Sequence, residues 1–198
     1  ARAGAKGLQA EALDMAEAAP VFGSDTRLRG SADYADLADS DLIIVTAGLP
    51  RKPGMSRSDL LDKNIAIMDQ IADAAAEHAP DAMMIVVANP VDVMTYRAWQ
   101  RTGWSRNRVF GQAGVLDSSR MAWFIAEATG RSMADIDAMV LGGHGDQMVP
   151  MLRYTTVNGI PVENFLDAGK IDEIIDRTRK GGAEVLGLRE NSSAYLAP

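Results

Sequence analysis

The chain has 198 residues, enough for one large domain or parts of two, and its 47% hydrophobic and 24% charged residues are typical of a globular protein. The formal charge of −7 argues against general attraction to nucleic acid or to an anionic membrane, so an anionic ligand would need a local cluster of cations. Because there is no cysteine, disulfides and thiolate metal sites are excluded.

The hydropathy pattern of the chain predicts its cellular location. No apolar run approaches the roughly 18 residues of a membrane span, and no signal peptide is visible at the start. We therefore expect a soluble, cytoplasmic protein with no nucleic-acid and no membrane partner. Since the first residue is not Met and the chain stops at Pro198, we also expect sequence to be missing at both ends.

The first half of the chain predicts alternating helices and strands. Helical spacing of apolar residues over 7–19, stopped by Pro20, indicates a first helix. Two apolar runs without polar alternation, 41–48 and 83–88, predict strands buried on both faces. A long helical stretch from about 57 to 78 lies between them, so these three elements predict a right-handed βαβ unit of a parallel sheet.

The second half predicts a different architecture. A helix over 91–101, a short strand over 108–111 and a helix over 116–129 come first, and then a strand over 138–141 runs into a Gly-rich segment. Two short runs flank Asn158 and Gly159, a pair that strongly favours a hairpin. An antiparallel hairpin after parallel units predicts a second, mixed domain, with the boundary near 112–114.

The predicted strands end in residues suited to binding. Gly48 would let the backbone approach a ligand closely, and Asn89 could donate a hydrogen bond to a ribose or an amide before Pro90. Ligands of open parallel sheets bind at the carboxyl ends of the strands. Each segment taken alone is better explained as an ordinary strand-to-loop turn.

The segment 49–57 combines two prolines and a glycine with the cations Arg51, Lys52 and Arg57. A loop of this composition can close over an anion and exclude water. The structural alternative is a solvated, basic helix entry with Ser56 or Ser58 as its cap.

Asp117 and Arg120 are three residues apart and therefore lie on one helical face. They could form no more than a surface salt bridge. Alternatively, Asp117 could orient a histidine while the planar fork of Arg120 grips a carboxylate.

The chain has two histidines. We interpret His78, which lies late in a predicted helix, as structural, because a cation suits a helix end. His144 lies between glycines directly after a predicted strand, so its imidazole is uncrowded. A histidine in an ordinary Gly-rich turn would show the same sequence pattern. We predict no metal site, because no second histidine or cysteine has ligand spacing.

Four blocks of the chain, in their order and spacing, resemble the lactate and malate dehydrogenase family. The blocks are Thr46-Ala47-Gly48, Asn89-Pro90, Leu116-Asp117-Ser118-Ser119-Arg120 and Gly142-Gly143-His144-Gly145-Asp146. The resemblance extends over essentially the whole chain, from the helix at 12–15 to the segment 192–195. It implies an α/β fold: a Rossmann-type parallel sheet whose first βαβ unit is missing, over 1–113, then a truncated mixed α+β substrate domain over 114–198.

The resemblance also implies a mechanism of hydride transfer from a 2-hydroxy acid. His144 would be the general acid/base, and Asp117 would fix its tautomer. Arg120 would bind the carboxylate beside the reacting carbon, while Arg57 would polarise the carbonyl and also bind the substrate.

Arg51 occupies the loop position where lactate enzymes of the family carry glutamine and malate enzymes carry arginine. A second substrate carboxylate would otherwise be buried without a partner, so Arg51 implies reversible oxidation of (S)-malate to oxaloacetate. A lactate or other 2-hydroxy-acid dehydrogenase is the alternative. A non-catalytic paralogue that acts as a binding or assembly module is the alternative from another class.

The remaining implied features concern the cofactor and the assembly. Asn89 and Ser193 would also contact the substrate. NAD is the implied cofactor, and the residues implied to bind it are Thr46, Ala47, Gly48, Asn64, Val87 and Asn89. A homo-oligomer, dimeric or tetrameric, is implied as well.

Overall fold

The computed structural model describes residues 4–49 and 57–188, apart from the side chains of residues 5, 57, 59 and 186. In the first part, helices alternate with parallel strands. The helices are α1 (Ala5–Glu17), α2 (Ala19–Phe22), α3 (Arg57–His78) and α4 (Val91–Thr102), and the strands are β1 (Leu42–Val45), β2 (Met83–Val86) and β3 (Val109–Gly111).

The three strands pair in parallel in the order β1-β2-β3, with Leu42 opposite Met83 and Met84 opposite Val109. Helix α3 connects β1 to β2, and α4 connects β2 to β3. The predicted βαβ unit is confirmed, and α3 has the predicted bounds. The first helix ends at Glu17, before Pro20, which lies in the first turn of α2, where a missing N–H is tolerated.

One face of this sheet is packed and the other is exposed. Val45, Met84 and Val86 are buried with Met68 of α3 and Met94 of α4. The prediction that the strands are buried on both faces is wrong for the described residues, because alternate side chains are open: Leu42 is 44% and Ile44 is 59% exposed. Right-handed crossovers place α3 and α4 on the same face, so these helices cover that face alone.

The second part contains helices α5 (Gly114–Thr129) and α6 (Ala168–Gly187) and the strands β4 (Ile136–Asp137), β5 (Val140–Gly142), β6 (Met148–Pro150), β7 (Thr156–Val157) and β8 (Ile160–Pro161). Strands β4, β7 and β8 form one antiparallel sheet, and β5 and β6 form another. The core between α5 and α6 includes Met121, Ile125, Ile171 and Ile174.

The predicted hairpin is confirmed: Val157 is opposite Ile160, and both turn residues are left-handed, with φ of 52° at Asn158 and 74° at Gly159. The predicted strand over 138–141 is displaced to Val140–Gly142. Residues 138 and 139 instead connect β4 to β5, because these two strands belong to different sheets. No helix in the described parts is long and apolar enough to cross a membrane.

Candidate active site

Asn64 of α3 joins the loops that follow β1 and β2. Its side chain is buried, and its Oδ1 accepts a hydrogen bond from the N–H of Leu49 at 2.8 Å. Its Nδ2 donates to the carbonyl oxygens of Leu49 at 3.4 Å and Asn89 at 3.0 Å. A Cβ on Gly48 would lie 3.6 Å from Cβ of Ala88, so the two strand ends are in contact. They form one fixed edge, at the place where open α/β sheets bind ligands.

The residues predicted to bind the cofactor lie at this edge or support it. Thr46, Ala47 and Gly48 directly follow β1, and Val87 and Asn89 follow β2. Both N–H donors of the Asn64 amide are engaged by backbone carbonyls. The described contacts of Asn64 therefore hold the two loops of the chain itself. Direct contact of the six predicted residues with a cofactor stays a prediction.

His144 lies in the loop between β5 and β6, a hairpin in which Gly142 is opposite Met148. Gly142 has φ of +84°, and a Cβ there would lie 2.8 Å from the carbonyl oxygen of Gln147. Gly145 has φ of +118°. The loop conformation thus requires glycine on both sides of the histidine. The His144 side chain itself is 24% exposed, which leaves it accessible to a small ligand.

Asp117 and His144 are in direct contact. Nδ1 of His144 lies 2.8 Å from Oδ2 of Asp117, whose side chain is buried in the first turn of α5. Ser118 fixes the same helix to the histidine hairpin, because its Oγ accepts a hydrogen bond from the N–H of Val140 at 2.9 Å. With Nδ1 held by the carboxylate, Nε2 is the ring nitrogen left for proton exchange with a ligand.

The pKa of His144 is raised above its ordinary value of 6.5. The hydrogen bond to Asp117 is the main cause, and burial acts in the opposite direction by disfavouring the charged ring. The negative charges of Asp117 and Asp92 add to the increase, while the nearby Arg120 cation opposes it. The protonated form is therefore favoured at neutral pH more than in a free imidazole.

Arg120 packs between α5 and α6. Its side chain is 15% exposed, and its Nη1 donates to Oδ1 of Asp117 at a long 3.4 Å. A Cβ on Gly181 of α6 would lie only 3.0 Å from Cδ and 3.2 Å from Nε of Arg120. The bare backbone at Gly181 therefore provides the room in which the guanidinium lies, beside the His144–Asp117 pair.

Three residues predicted for the site cannot be placed with the others. Arg51 and Ser193 lie outside the described residues, as does the predicted cap Ser56. Arg57 begins α3, but its side chain also lies outside the described part. Within 4–49 and 57–188, no group of three or more His, Cys, Asp or Glu residues could hold a metal ion.

Sequence reasoning missed two residues that support the histidine. Oδ2 of Asp92, in the first turn of α4, accepts a hydrogen bond from the backbone N–H of His144 at 2.9 Å. Ser118 holds β5 as described above. The available signal was weak, because an acid in the first turn of a helix is ordinary and no local spacing connects Ser118 to Val140.

The fold and the site together define a class: an α/β protein with a dinucleotide-binding type of sheet, a second α/β domain, and a histidine–carboxylate pair beside a guanidinium. Comparison with known families makes this specific. The profile described as lactate/malate dehydrogenase, NAD binding domain, matches residues 3–111. The profile described as the alpha/beta C-terminal domain of the same family matches residues 114–197. The chain belongs to the lactate/malate dehydrogenase family.

Individual relatives agree with this assignment. A malate dehydrogenase of Thioalkalivibrio sulfidiphilus is 67% identical over 187 residues, which are 94% of this chain and 61% of the relative. The solved malate dehydrogenase of Picrophilus torridus is 46% identical with a TM-score of 0.89, covering 95% of this chain and 60% of that one. A lactate dehydrogenase of Cryptosporidium parvum, solved with lactic acid and nicotinamide adenine dinucleotide, is 40% identical with a TM-score of 0.86, covering 95% and 61%. The chain thus spans about three fifths of the length of these proteins.

Proposed function

We propose that the protein catalyses the reversible NAD-dependent oxidation of (S)-malate to oxaloacetate. The observation that carries this proposal is the contact of 2.8 Å between Nδ1 of His144 and Oδ2 of Asp117, next to the guanidinium of Arg120. The pair supplies a proton-transfer group and the guanidinium supplies a carboxylate-binding group, the two functions that this chemistry requires of the protein.

His144 is the general acid/base of the proposed reaction. In malate oxidation its Nε2 accepts the proton of the C2 hydroxyl, and in oxaloacetate reduction the imidazolium returns that proton to the carbonyl oxygen. Asp117 keeps the ring in the orientation and tautomer that expose Nε2, and it stabilises the imidazolium. The raised pKa of His144 supports this assignment, because an acid for carbonyl reduction must hold a proton at neutral pH.

Two arginines bind and polarise the substrate. Arg120 binds the carboxylate next to the reacting carbon, for which its confined guanidinium is suited because a planar fork forms two parallel hydrogen bonds. Arg57, at the start of α3, polarises the C2 carbonyl and stabilises the charge that develops on its oxygen. Asn89 and Ser193 complete the substrate contacts.

Arg51 selects the dicarboxylate. The second carboxylate of malate or oxaloacetate pairs with it, whereas pyruvate would leave the cation without a partner in a closed site. A hydrogen bond to a charged group contributes about 1.5–3 kcal/mol, which corresponds to a preference of roughly tenfold or more. The malate dehydrogenase named among the relatives, at 67% identity, supports the same choice.

The edge formed by the ends of β1 and β2 fits a dinucleotide. Gly48 is exposed, which leaves its backbone accessible there, and Asn64 holds both loops in place. We assign cofactor contacts to Thr46, Ala47, Gly48, Asn64, Val87 and Asn89. A bound cofactor would supply the redox chemistry: NAD⁺ would take up the hydride from C2 of malate, and NADH would return it to C2 of oxaloacetate. The match to an NAD binding domain supports this cofactor.

The remaining assignments extend the same proposal. Residues 1–113 form the dinucleotide-binding domain and 114–198 the substrate domain. The protein acts in the cytoplasm as a homo-oligomer, a dimer or a tetramer.

The test is a comparison of oxaloacetate with pyruvate at equal NADH, using the full-length protein. We expect kcat/KM to be higher for oxaloacetate, and Arg51→Gln to lower this preference by about tenfold or more. The similarity to the solved lactate dehydrogenase keeps lactate as the second candidate substrate. Preference of the unmodified protein for pyruvate would decide for lactate, and no turnover of either acid would indicate a binding module.

A further inference from the structure

Asp92 makes a contact between the two parts of the chain. It lies in the first turn of α4, two residues after Pro90, and therefore at the carboxyl end of β2. Its Oδ2 accepts the backbone N–H of His144 at 2.9 Å, across 52 residues of sequence. A Cβ on Gly143 would lie 3.5 Å from the same oxygen, an ordinary van der Waals distance, so the carboxylate lies directly against the loop.

The ordinary explanation of such an acid is stabilisation of the helix N-terminus by its charge. That explanation does not account for the hydrogen bond that Asp92 accepts from the backbone of His144. The residue at the start of α4, Pro90, has no side-chain capping bond, and the described hydrogen bond of Asp92 goes to another element instead of the N–H groups of α4.

Asp92 also belongs to the electrostatic surroundings of the imidazole. Among the described side chains, the charged groups that face His144 are Asp117 and Arg120 from α5 and Asp92 from α4. Asp117 and Asp92 raise the pKa of His144 and Arg120 lowers it. Asp117 holds the ring at Nδ1, whereas Asp92 holds the backbone of the same residue, so the two carboxylates fix different parts of it.

We propose that Asp92 is a positioning residue of the active site, which holds the His144 loop against the carboxyl end of β2 and places its negative charge beside the imidazole. This inference rests on the proposed function. The proton-transfer group and the loop edge that would hold the cofactor come from different parts of the chain. The contact of Asp92 with His144 would therefore keep these two groups in a fixed relative position. Asp92 touches neither substrate nor reacting atoms in this account; it acts through His144.

Two substitutions separate the hydrogen bond from the charge. Asp92→Asn keeps an oxygen that can accept the N–H of His144 but removes the charge, whereas Asp92→Ala removes both. Asp167 offers a matched control, because its Oδ1 accepts the N–H of Lys170 at 2.8 Å at the start of α6. Asp167→Asn and Asp167→Ala alter a carboxylate-to-backbone bond at a helix start without altering a neighbour of His144.

The kinetic readout is kcat/KM for oxaloacetate reduction as a function of pH, measured on the full-length protein. Reduction uses the imidazolium, so the rate falls as pH rises through the pKa of His144. We expect both Asp92 variants to move this fall to lower pH. At pH values below the fall, Asp92→Asn stays within about threefold of the unmodified protein, while Asp92→Ala loses about tenfold. Both Asp167 variants leave the position of the fall unchanged.

A second readout does not depend on turnover. The imidazole pKa is followed by NMR titration, with the His144 signal identified by its loss in His144→Asn. A lower pKa in Asp92→Asn supports the inference, and a purely structural role would not move it. An unchanged His144 pKa in Asp92→Asn, or a kinetic profile of Asp92→Ala like that of Asp167→Ala, overturns it. If the unmodified protein does not reduce oxaloacetate, the proposed function fails, and the NMR titration still decides the role of Asp92.

Discussion

Nδ1 of His144 lies 2.8 Å from Oδ2 of Asp117, although the two residues are 27 positions apart and belong to a hairpin loop and to the first turn of α5. The histidine hairpin is fastened to the same helix by the bond from Val140 N–H to Ser118 Oγ. The relationship is therefore set by the packing of β5 on α5, and the predictions for Asp117, Gly181 and His144 depend on it or on the groups around it.

Asp117→Asn should impair oxaloacetate reduction and change its pH dependence. The amide carries no charge and can present either an oxygen or an NH₂ group to Nδ1, so the favoured tautomer is lost. We expect kcat/KM to fall on the order of 100-fold. Because the hydrogen bond to Asp117 is the main cause of the raised pKa of His144, the fall in rate with rising pH should begin at lower pH.

The control for Asp117→Asn is Asp137→Asn, which removes an exposed carboxylate of β4. Its pH profile should match that of the unmodified protein. A profile of Asp117→Asn that keeps its original position would show that Asp117 does not set the protonation of His144.

Gly181→Ala should weaken substrate binding through Arg120. The new Cβ would lie 3.0 Å from Cδ of Arg120, tighter than nine in ten Cβ contacts, so the Arg120 side chain must move by a few tenths of an ångström. Because a small displacement of a substrate-binding group is costly, we expect KM for oxaloacetate to rise roughly 3- to 10-fold.

Gly182→Ala is the matched control, since its nearest contact is Nη2 of Arg120 at an ordinary 3.9 Å. Both substitutions replace glycine by alanine within α6, which favours a helix by ~0.5–1 kcal/mol each. We expect Gly182→Ala to raise the free energy of unfolding and leave KM unchanged. Equal values of KM in the two variants would contradict the role given to Gly181.

Asn64→Ala should destabilise the protein. The substitution leaves the N–H of Leu49 and the carbonyl of Asn89 without their partner at a part-buried site. We expect the free energy of unfolding in urea to fall by about 1–3 kcal/mol, the cost of removing one partner of these hydrogen bonds.

Asn164→Ala serves as the comparison, because the Nδ2 of Asn164 makes one exposed bond, to the carbonyl oxygen of Pro161 at 3.3 Å. Its effect should stay within about 0.5 kcal/mol. If both variants lose the same stability, Asn64 does not connect the strand ends as described.

Local patterns in the sequence predicted the elements whose signals are local. The helix at Arg57–His78 and the turn at Asn158 and Gly159 follow from apolar spacing and from the left-handed preference of that pair. The exposed face of β1 was not predictable from Leu42 and Ile44 alone, since an apolar run does not reveal how many of its faces are covered.

In the active site, too, some residues were predictable and others depended on tertiary packing. Asp117 and His144 were predicted as partners because the family resemblance and the chemistry of both residues agreed, and the structure brings them together. The contacts of Asp92 and Gly181 were not predicted. Each depends on how an element from a distant part of the chain packs against the site, and no spacing within the sequence encodes that.

The most direct test of the central claim is the turnover of His144→Asn in the full-length protein, measured with oxaloacetate and NADH. Asparagine is polar and close in size but cannot exchange a proton near neutral pH. We expect kcat to fall by about 10²- to 10⁴-fold, with NADH affinity, followed by fluorescence titration, close to that of the unmodified protein. His78→Asn, in the last turn of α3, should keep full activity. Undiminished turnover of His144→Asn would contradict the assignment of His144 as the general acid/base.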